Sequence, residues 1–450
     1  MSLLQTLESW LSTRAAEIVR RERPLIIAIT GTVGKSTAKL AIGALLNADD
    51  PATSKTRVSP KNYNNELGVA LTVFGCAAPA RSTIVWLRLM WKAWVMSHGW
   101  QSTGIRTFVL EMAADKPGDL ARLVAIAPPD IAVVTAITAE DPTVAPVHVA
   151  NYSSVDALVQ EKATLIKALP PQATAILNMD DARVFAMRHL TSAHIITFGV
   201  ADGADVRLVA TRVMMEESEH GRVPTGLEIQ LESFNRLRTL RLPGICGTPA
   251  AYSVAAAVAV GAALDVGLES VEDLPNHFQP LPGRMRIIPG IKFTTLLDDT
   301  YNASPPAVLS AVRDLAAMPL LESQRRMACL GEMRELGSHA EAMHRLIGAE
   351  VAKRGIDFFV ACGTLASVMA EGARANGMRE DQIKIFGDTP EAGEFLREWI
   401  RPGDVILAKA SEGRHDGKGV RMERVIKSLM REPHRASELL VRQEKVWKRN

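Results

Sequence analysis

Residues 25–37 read Leu-Ile-Ile-Ala-Ile-Thr-Gly-Thr-Val-Gly-Lys-Ser-Thr, and the rest of the chain is best read outward from them. The apolar start, rich in β-branched residues, predicts a strand buried on both faces of a parallel sheet. The run breaks at Gly31 and Gly34, then enters Ala-Lys-Leu-Ala-Ile-Gly-Ala-Leu-Leu, which has helical composition. Such a strand–loop–helix joint turns backbone N–H groups and a helix N-terminus toward a polyphosphate. The common loop G-x-x-x-x-G-K-[S/T] opens on a glycine. Here Ile29 stands at that place, so this is a variant, Thr-Gly-Thr-x-Gly-Lys-Ser-Thr. Gly31, Thr32, Gly34 and Thr37 are expected around the phosphates, Lys35 against the β/γ-phosphates and Ser36 on Mg²⁺. A glycine turn that binds nothing leaves Lys35 and two hydroxyl residues at a helix start unexplained. The expectation is an ATP site.

Composition sets limits around that loop. At 450 residues, 47% hydrophobic and 23% charged, the chain has room for two or three domains with sizeable cores. A net charge of +2, from 52 basic and 50 acidic residues, gives no field that calls for nucleic acid. Cys76, Cys246, Cys329 and Cys362 are far apart and form no metal or redox spacing, as suits thiols in a reducing compartment. The N-terminal residues show no secretory pattern, and no apolar run approaches the ~20 residues of a membrane span. A cytoplasmic protein is expected.

Upstream of the loop, residues 2–23 place Leu4, Leu7, Leu11, Ala15 and Ile18 at helical intervals, with Arg14, Arg20, Arg21 and Arg23 off that stripe. This predicts one docking helix (1–24) ahead of an ATP-binding domain (25–286). Downstream, Asn62, Asn64 and Asn65 offer uncharged hydrogen-bonding groups to substrate or, more plainly, Asx caps to the next helix. Residues 81–100 hold four of the seven tryptophans, Trp86, Trp91, Trp94 and Trp100, with Arg81, Arg88 and Lys92 among them. Apolar character most of the way round a helix implies core packing or a dimer contact, with a membrane-surface helix as the other account. Thr107–Met112 reads as a strand ending on the carboxylate Glu111, placed to hold Mg²⁺ beside the phosphates.

Further strands follow at Asp130–Ile137 and Ala173–Leu177, with His148, Glu161 and Lys162 between them. From Asp205 to Leu242 the pattern alternates with no helix between segments, which predicts an antiparallel excursion. An alanine-rich helix, Ala250–Ala263, closes this part. Pro280–Arg284 is punctuated like a linker. Beyond it, strands at Thr294–Leu297, Arg326–Leu330, Phe358–Ala361, Ile383–Phe386 and Val405–Ala408 alternate with helices. That alternation implies a second parallel α/β domain, 287–430. Residues 431–450 are expected to form a charged, frayed or solvent-facing tail.

Set side by side, Thr30-Gly-Thr-Val-Gly-Lys-Ser-Thr, Asn62-Tyr-Asn-Asn-Glu-Leu-Gly, Leu110-Glu-Met-Ala, Asp298-Asp-Thr-Tyr-Asn-Ala-Ser-Pro, Leu330-Gly-Glu-Met-Arg-Glu-Leu-Gly and Lys409-Ala-Ser occur in that order. This set resembles the Mur ligase family, most closely its branch that adds D-alanyl-D-alanine, over about residues 25–430. The resemblance implies a P-loop-type central domain followed by a Rossmann-like C-terminal domain. It implies ADP-forming amide synthesis through an acyl phosphate, with D-alanyl-D-alanine joined to UDP-N-acetylmuramoyl-tripeptide in peptidoglycan precursor synthesis. It also implies two Mg²⁺ ions, one held with help from Lys162 as a side-chain carbamate and from His148, 14 positions upstream. Arg284, Asp299, Tyr301 and Asn302 would contact nucleotide. Glu332, Glu335 and His344 would lie near the incoming amine, and Lys409 would bind substrate.

The sequence departs from that family in several places. Only ~24 residues precede the first strand, where relatives carry a uridine-nucleotide domain. Thr248, Pro249 and Tyr252 replace a His-Asn pair and a following Asn near the adenine. Glu-Gly-Arg-His-Asp-Gly-Lys-Gly lengthens the segment after Lys409, and the tryptophan-rich stretch is additional. Either helix 2–23 and residues 81–100 form a reduced uridine platform, or the acid carries no UDP, as in glutamyl, aspartyl or folate ligases. A P-loop ATPase that forms no bond is the reading from another class.

Overall fold

Leu25–Thr30 form β1, and Ile26–Ile29 are buried on both faces as their composition demands. The computed structural model describes residues 3–47, 54–60, 63–78, 82–138, 141, 143–146, 149–233, 235–412 and 420–444. Asn62, Arg81, His148 and residues 413–419 of the insertion lie outside them.

The first unit contains α1 (Leu3–Glu22), β1, α2 (Lys35–Asn47), β2 (Thr56–Val58), α3 (Glu66–Phe74), α4 (Thr83–Ser97), β3 (Thr107–Glu111) and α5 (Asp119–Ile126). It continues through β4 (Ile131–Val134), α6 (Val155–Lys167), β5 (Thr174–Asn178), α7 (Ala182–Phe185), β6 (His194–Gly199), β7 (Val206–Ser218), β8 (Gly221–Ser233), β9 (Arg236–Pro243), α8 (Thr248–Ala263) and α9 (Leu268–His277). Its strands form one sheet in the order β2-β3-β1-β4-β5-β6-β7-β8-β9, parallel from β2 to β6. The alternation of side chains along β1 splits the core in two. Ile26 and Ala28 face α1, α3, α4, α5 and α6, whereas Ile27 and Ile29 face α2, α8 and α9. The expected docking helix supplies Leu11, Ala15 and Ile18 to the first layer, each nearly or fully buried and worth roughly 1–3 kcal/mol.

The expected antiparallel excursion is the meander β7–β8–β9. Its tip crosses to the second unit, where buried Gln324 accepts from Arg222 N through Oε1 and donates through Nε2 to the carbonyls of Arg222 and Gly403. That unit contains β10 (Arg286–Pro289), β11 (Thr295–Asp298), α10 (Pro305–Ala316), β12 (Arg326–Leu330), α11 (Ala340–Lys353), β13 (Phe358–Cys362) and α12 (Ala366–Ala375). β14 (Ile383–Phe386), α13 (Thr389–Trp399), β15 (Val405–Lys409), α14 (Glu423–Leu429) and α15 (Ala436–Leu439) complete it. The sheet order is β10-β11-β15-β12-β13-β14, parallel except for β10. This is the mixed α/β architecture the alternation predicted.

Two expectations change. The stretch at 81–100 is only half core: Leu89, Ala93 and Met96 are buried, but Ile84, Leu87, Trp91 and Trp100 face solvent. The tail is not frayed throughout, because Leu439, Leu440 and Arg442 are buried against the second unit. Its charge pointed to solvent, whereas Arg442 pairs with Glu423 and donates to the distant carbonyls of Thr300 and Tyr301. Among the described residues no helix is long and apolar enough to cross a membrane.

Candidate active site

The end of β1 and the start of α2 bend the chain into a cradle. Gly31 has φ +142°, and a Cβ there would sit 2.1 Å from Thr135 Oγ1. Gly34, at φ +86°, is likewise in the region that side chains avoid. Thr135 closes the loop from below by donating to Val33 O at 2.6 Å. The hydroxyls of Thr30 and Thr32 are buried without a hydrogen-bond partner. α2 starts at Lys35 with no acidic residue in its first turn. Unpaired donors, a bare helix start and a glycine cradle together fit a polyphosphate. Lys35 Nζ rests 3.4 Å from Thr32 O, and burial lowers its pKa while Glu111 pulls it back up.

Glu111 ends β3 beside this cradle and is 2% exposed. Its Oε1 accepts from Asn64 Nδ2 at 3.3 Å, and its Oε2 lies 3.2 Å from Lys39 Nζ. Burial pushes the carboxyl up, but Lys39, Lys35, Asn64 and Ser36 outweigh it and hold the group below its usual range. Glu111 is thus ionised and next to the Ser36 hydroxyl. No cluster of three His, Cys, Asp or Glu side chains suited to a metal occurs among the described residues. One carboxylate and one hydroxyl fit Mg²⁺, which is held by few protein ligands plus phosphates.

Lys162 lies on α6, 1% exposed. Burial, then the charge of Lys35, lowers its pKa to about 7, while the carboxylates of Asp115, Glu161 and Asp119 pull it partly back up. Its neighbour Glu161 is committed elsewhere, accepting from the N–H groups of Gly118 and Leu120 at the start of α5. α6 is therefore fixed, and a substantial fraction of the amine it carries is neutral near pH 7.

The second unit closes the far side. A cavity of about 360 Å³ runs between Gly34, Asn178, Asp180, Thr248, Pro249 and Tyr252 on one side and Leu309, Arg313 and Glu350 on the other. Tyr252 donates to Asp180 Oδ2 at 2.7 Å, while Thr248 Oγ1 donates to Asp314 at 2.6 Å. A larger space of about 570 Å³ is lined by Ser36, Arg284, Tyr301 and tail residues, among them Ser437, Arg442 and Glu444. The Arg284 guanidinium stacks on Tyr301, 4.1 Å from its ring centre. Lys409 donates to Asp299 Oδ2 at 2.6 Å and to Asn302 O at 2.9 Å. None of these linings includes α4, so the expected uridine platform does not border them.

The other expected site residues make contacts within the protein. Asn65 caps α3 by accepting from Gly68 N at 2.8 Å, and Asn64 is spent on Glu111. His344 is fully buried, donates through Nδ1 to Ala340 O and accepts at Nε2 from Met333 N. With both nitrogens used, it shapes the loop carrying Glu332 and Glu335. Glu332 accepts from Thr364, and Glu335 is exposed at φ +61°.

Two residues the sequence did not flag matter here. Lys39 looks like a helix-surface lysine but is 1% exposed against Glu111. Arg442, in the supposed tail, pairs with buried Glu423 at 3.1 Å and donates to the carbonyls of Thr300 and Tyr301. It holds φ +57°, a conformation costing roughly 1–2 kcal/mol. Arg442→Met should therefore loosen segment 299–302. The expected result is a thermal melt lower by roughly 5 °C or more and a raised KM for ATP. Unchanged values of both would make Arg442 idle.

Family models match two stretches: the Mur ligase middle domain over residues 91–260 and the Mur ligase glutamate ligase domain over 283–412. The UDP-N-acetylmuramoyl-tripeptide–D-alanyl-D-alanine ligase of Mycobacterium tuberculosis is 30% identical over 402 residues, covering 86% of this chain and 70% of that protein. The ligase of the same name from Bacillus subtilis is 26% identical, covering 91% and 76%. Among solved structures, MurF from Acinetobacter baumannii aligns over 90% of this chain and 77% of its own, with TM-score 0.70 and 24% identity. MurF from Thermotoga maritima in complex with ADP aligns over 94% and 83%, with TM-score 0.70 and 23% identity. These two show a common fold. A relative as similar as the mycobacterial one, over that much of both chains, makes this chain a member of the Mur ligase family.

Proposed function

We propose that this chain is an ATP-dependent, ADP-forming amide ligase that joins D-alanyl-D-alanine to UDP-N-acetylmuramoyl-tripeptide through an acyl phosphate. The observation that carries this reading is Lys162, an almost fully buried amine beside the phosphate cradle whose pKa burial lowers to about 7. A switch ATPase has no use for such a group. A ligase does, because a neutral amine takes up CO₂: the N–C bond forms, a proton leaves to water, and a cation becomes an oxygen ligand. The relatives' name supports the choice of acid and dipeptide.

In this reading residues 31–37 hold the polyphosphate, with Lys35 and Arg284 supplying charge. Ser36 and Glu111 would hold one Mg²⁺, and carbamylated Lys162 with His148 a second. ATP supplies the phosphoryl group that activates the acid, and Mg²⁺ screens the anions that must approach each other. Asn178, Asp180 and Tyr252 would line the base pocket. Asp299, Asn302 and Lys409 would fix the hinge beside it. Free cysteines and ATP dependence both suit the cytoplasm.

The test is ADP release and product mass with UDP-N-acetylmuramoyl-tripeptide and D-alanyl-D-alanine. ADP should appear only with both, alongside a product heavier by the dipeptide less water. Steady ADP release without either substrate and without product would favour the switch, and product only with a UDP-free acid would move the substrate.

A further inference from the structure

We propose that the outward face of α4, together with Trp100, docks on an anionic lipid surface. The helix is pinned as a rigid base. Its inner residues Leu89, Ala93 and Met96 lie in the core, and Arg21 of α1 donates to the carbonyls of Met96 and Ser97, both at 2.7 Å. Its other side is left apolar: Ile84, Leu87 and Trp91 are 60%, 61% and 65% exposed, and Trp100 is 69% exposed. Ile84, Leu87 and Trp91 fall at helical spacing on one stripe about 10 Å long. Trp94 joins that stripe to the following turn, with ring centres 5.3 Å from Trp91 and 4.9 Å from Trp100. An exposed aromatic–aliphatic patch of this kind on a rigid base marks a contact surface.

Charge decides what it contacts. Residues 82–106 contain no Asp or Glu, yet carry Arg88, Lys92 and Arg106. Arg88 and Lys92 make no ion pair among the described residues and flank Trp91 on the helix. A second copy of the chain would bring these cations against their own equivalents in a two-fold contact, with no acid from the segment to meet them. A bilayer with acidic headgroups satisfies both needs. Tryptophan and the aliphatic side chains enter the interfacial layer, and the long basic side chains reach the phosphates. The attachment is peripheral, since α4 has 15 residues and lies along the protein.

The experiment is co-sedimentation of the full chain with vesicles of phosphatidylcholine mixed with phosphatidylglycerol, against phosphatidylcholine alone. Binding is expected only with the acidic lipid, weakening at high salt, with a blue shift in tryptophan emission. Trp91→Ser with Leu87→Ser, and separately Arg88→Glu with Lys92→Glu, should each lower the partition coefficient by roughly tenfold or more. Circular dichroism melts should match the parent, because all four side chains lie outside the core. No sedimentation with either vesicle, or equal sedimentation with both, overturns the proposal. So does a monomer–dimer equilibrium abolished by Trp91→Ser in the absence of lipid binding, which would give the face to a second copy.

Discussion

Lys162→Ala should lower kcat by roughly a thousandfold, the scale of losing one group that organises charge in a transition state. Short carboxylates added to the buffer should restore part of it by standing in for the carbamate. Lys162→Arg should fail as completely, because a guanidinium takes up no CO₂. Stability should move the other way. The amine is buried at an energetic cost, so Lys162→Met should melt no lower than the parent. The sign of the pH effect follows from the same shift. In CO₂-free buffer the folded group titrates at about 7, well below an unfolded lysine. Between those values the unfolded chain binds the extra proton, so this lysine makes stability rise with pH across that window and stay flat below it. Lys162→Met should lose that rise. A carbonyl resonance from ¹³C-bicarbonate, present in the parent and absent in Lys162→Ala, gives a reading independent of turnover. Full activity in Lys162→Ala would remove the residue from the site.

The sequence made the sheets legible because their strands are short apolar runs with both faces buried, and each run was bounded by its own punctuation. The phosphate cradle was legible for a similar reason: its glycines, lysine and hydroxyls act within a few residues of one another. Much of what stayed hidden depends on which side chains pack against each other, and some of those partners are distant in sequence. Lys39, on α2, reads as a surface lysine until Glu111, at the end of β3, is seen against it. Arg442 reads as tail charge until Glu423 and the carbonyls of Thr300 and Tyr301 surround it. His344 reads as a site histidine because imidazole chemistry is visible in sequence, whereas two internal hydrogen bonds are not. The meander was foreseen, but not that Gln324 would tie its tip to the second unit. Periodicity reports which face is buried, not which distant residue lies beneath it.

Glu111 is where these two kinds of information meet, and its removal should cost both chemistry and stability. Glu111→Gln keeps the shape and the bond from Asn64 but deletes the charge that faces Lys39, Lys35 and Ser36. Turnover should fall by roughly a hundred- to a thousandfold, with Mg²⁺ dependence shifted to higher concentration. The fold should suffer too, because Lys39 is 1% exposed and loses its carboxylate, and breaking a buried pair costs about 3–5 kcal/mol. The double variant Lys39→Met with Glu111→Gln separates the two effects. It removes the buried cation that had faced the carboxylate, so much of the melting temperature should return while turnover stays low. The pH dependence has a definite sign. The folded carboxyl titrates below 4.5, so its stabilisation is present at neutral pH and lost as pH falls from about 4.5 through the folded value. Glu111→Gln should therefore lose less stability than the parent on acidification over that range. Wild-type turnover and Mg²⁺ dependence in Glu111→Gln would show that the carboxylate serves Lys39 alone, and the metal would then have to be held without it.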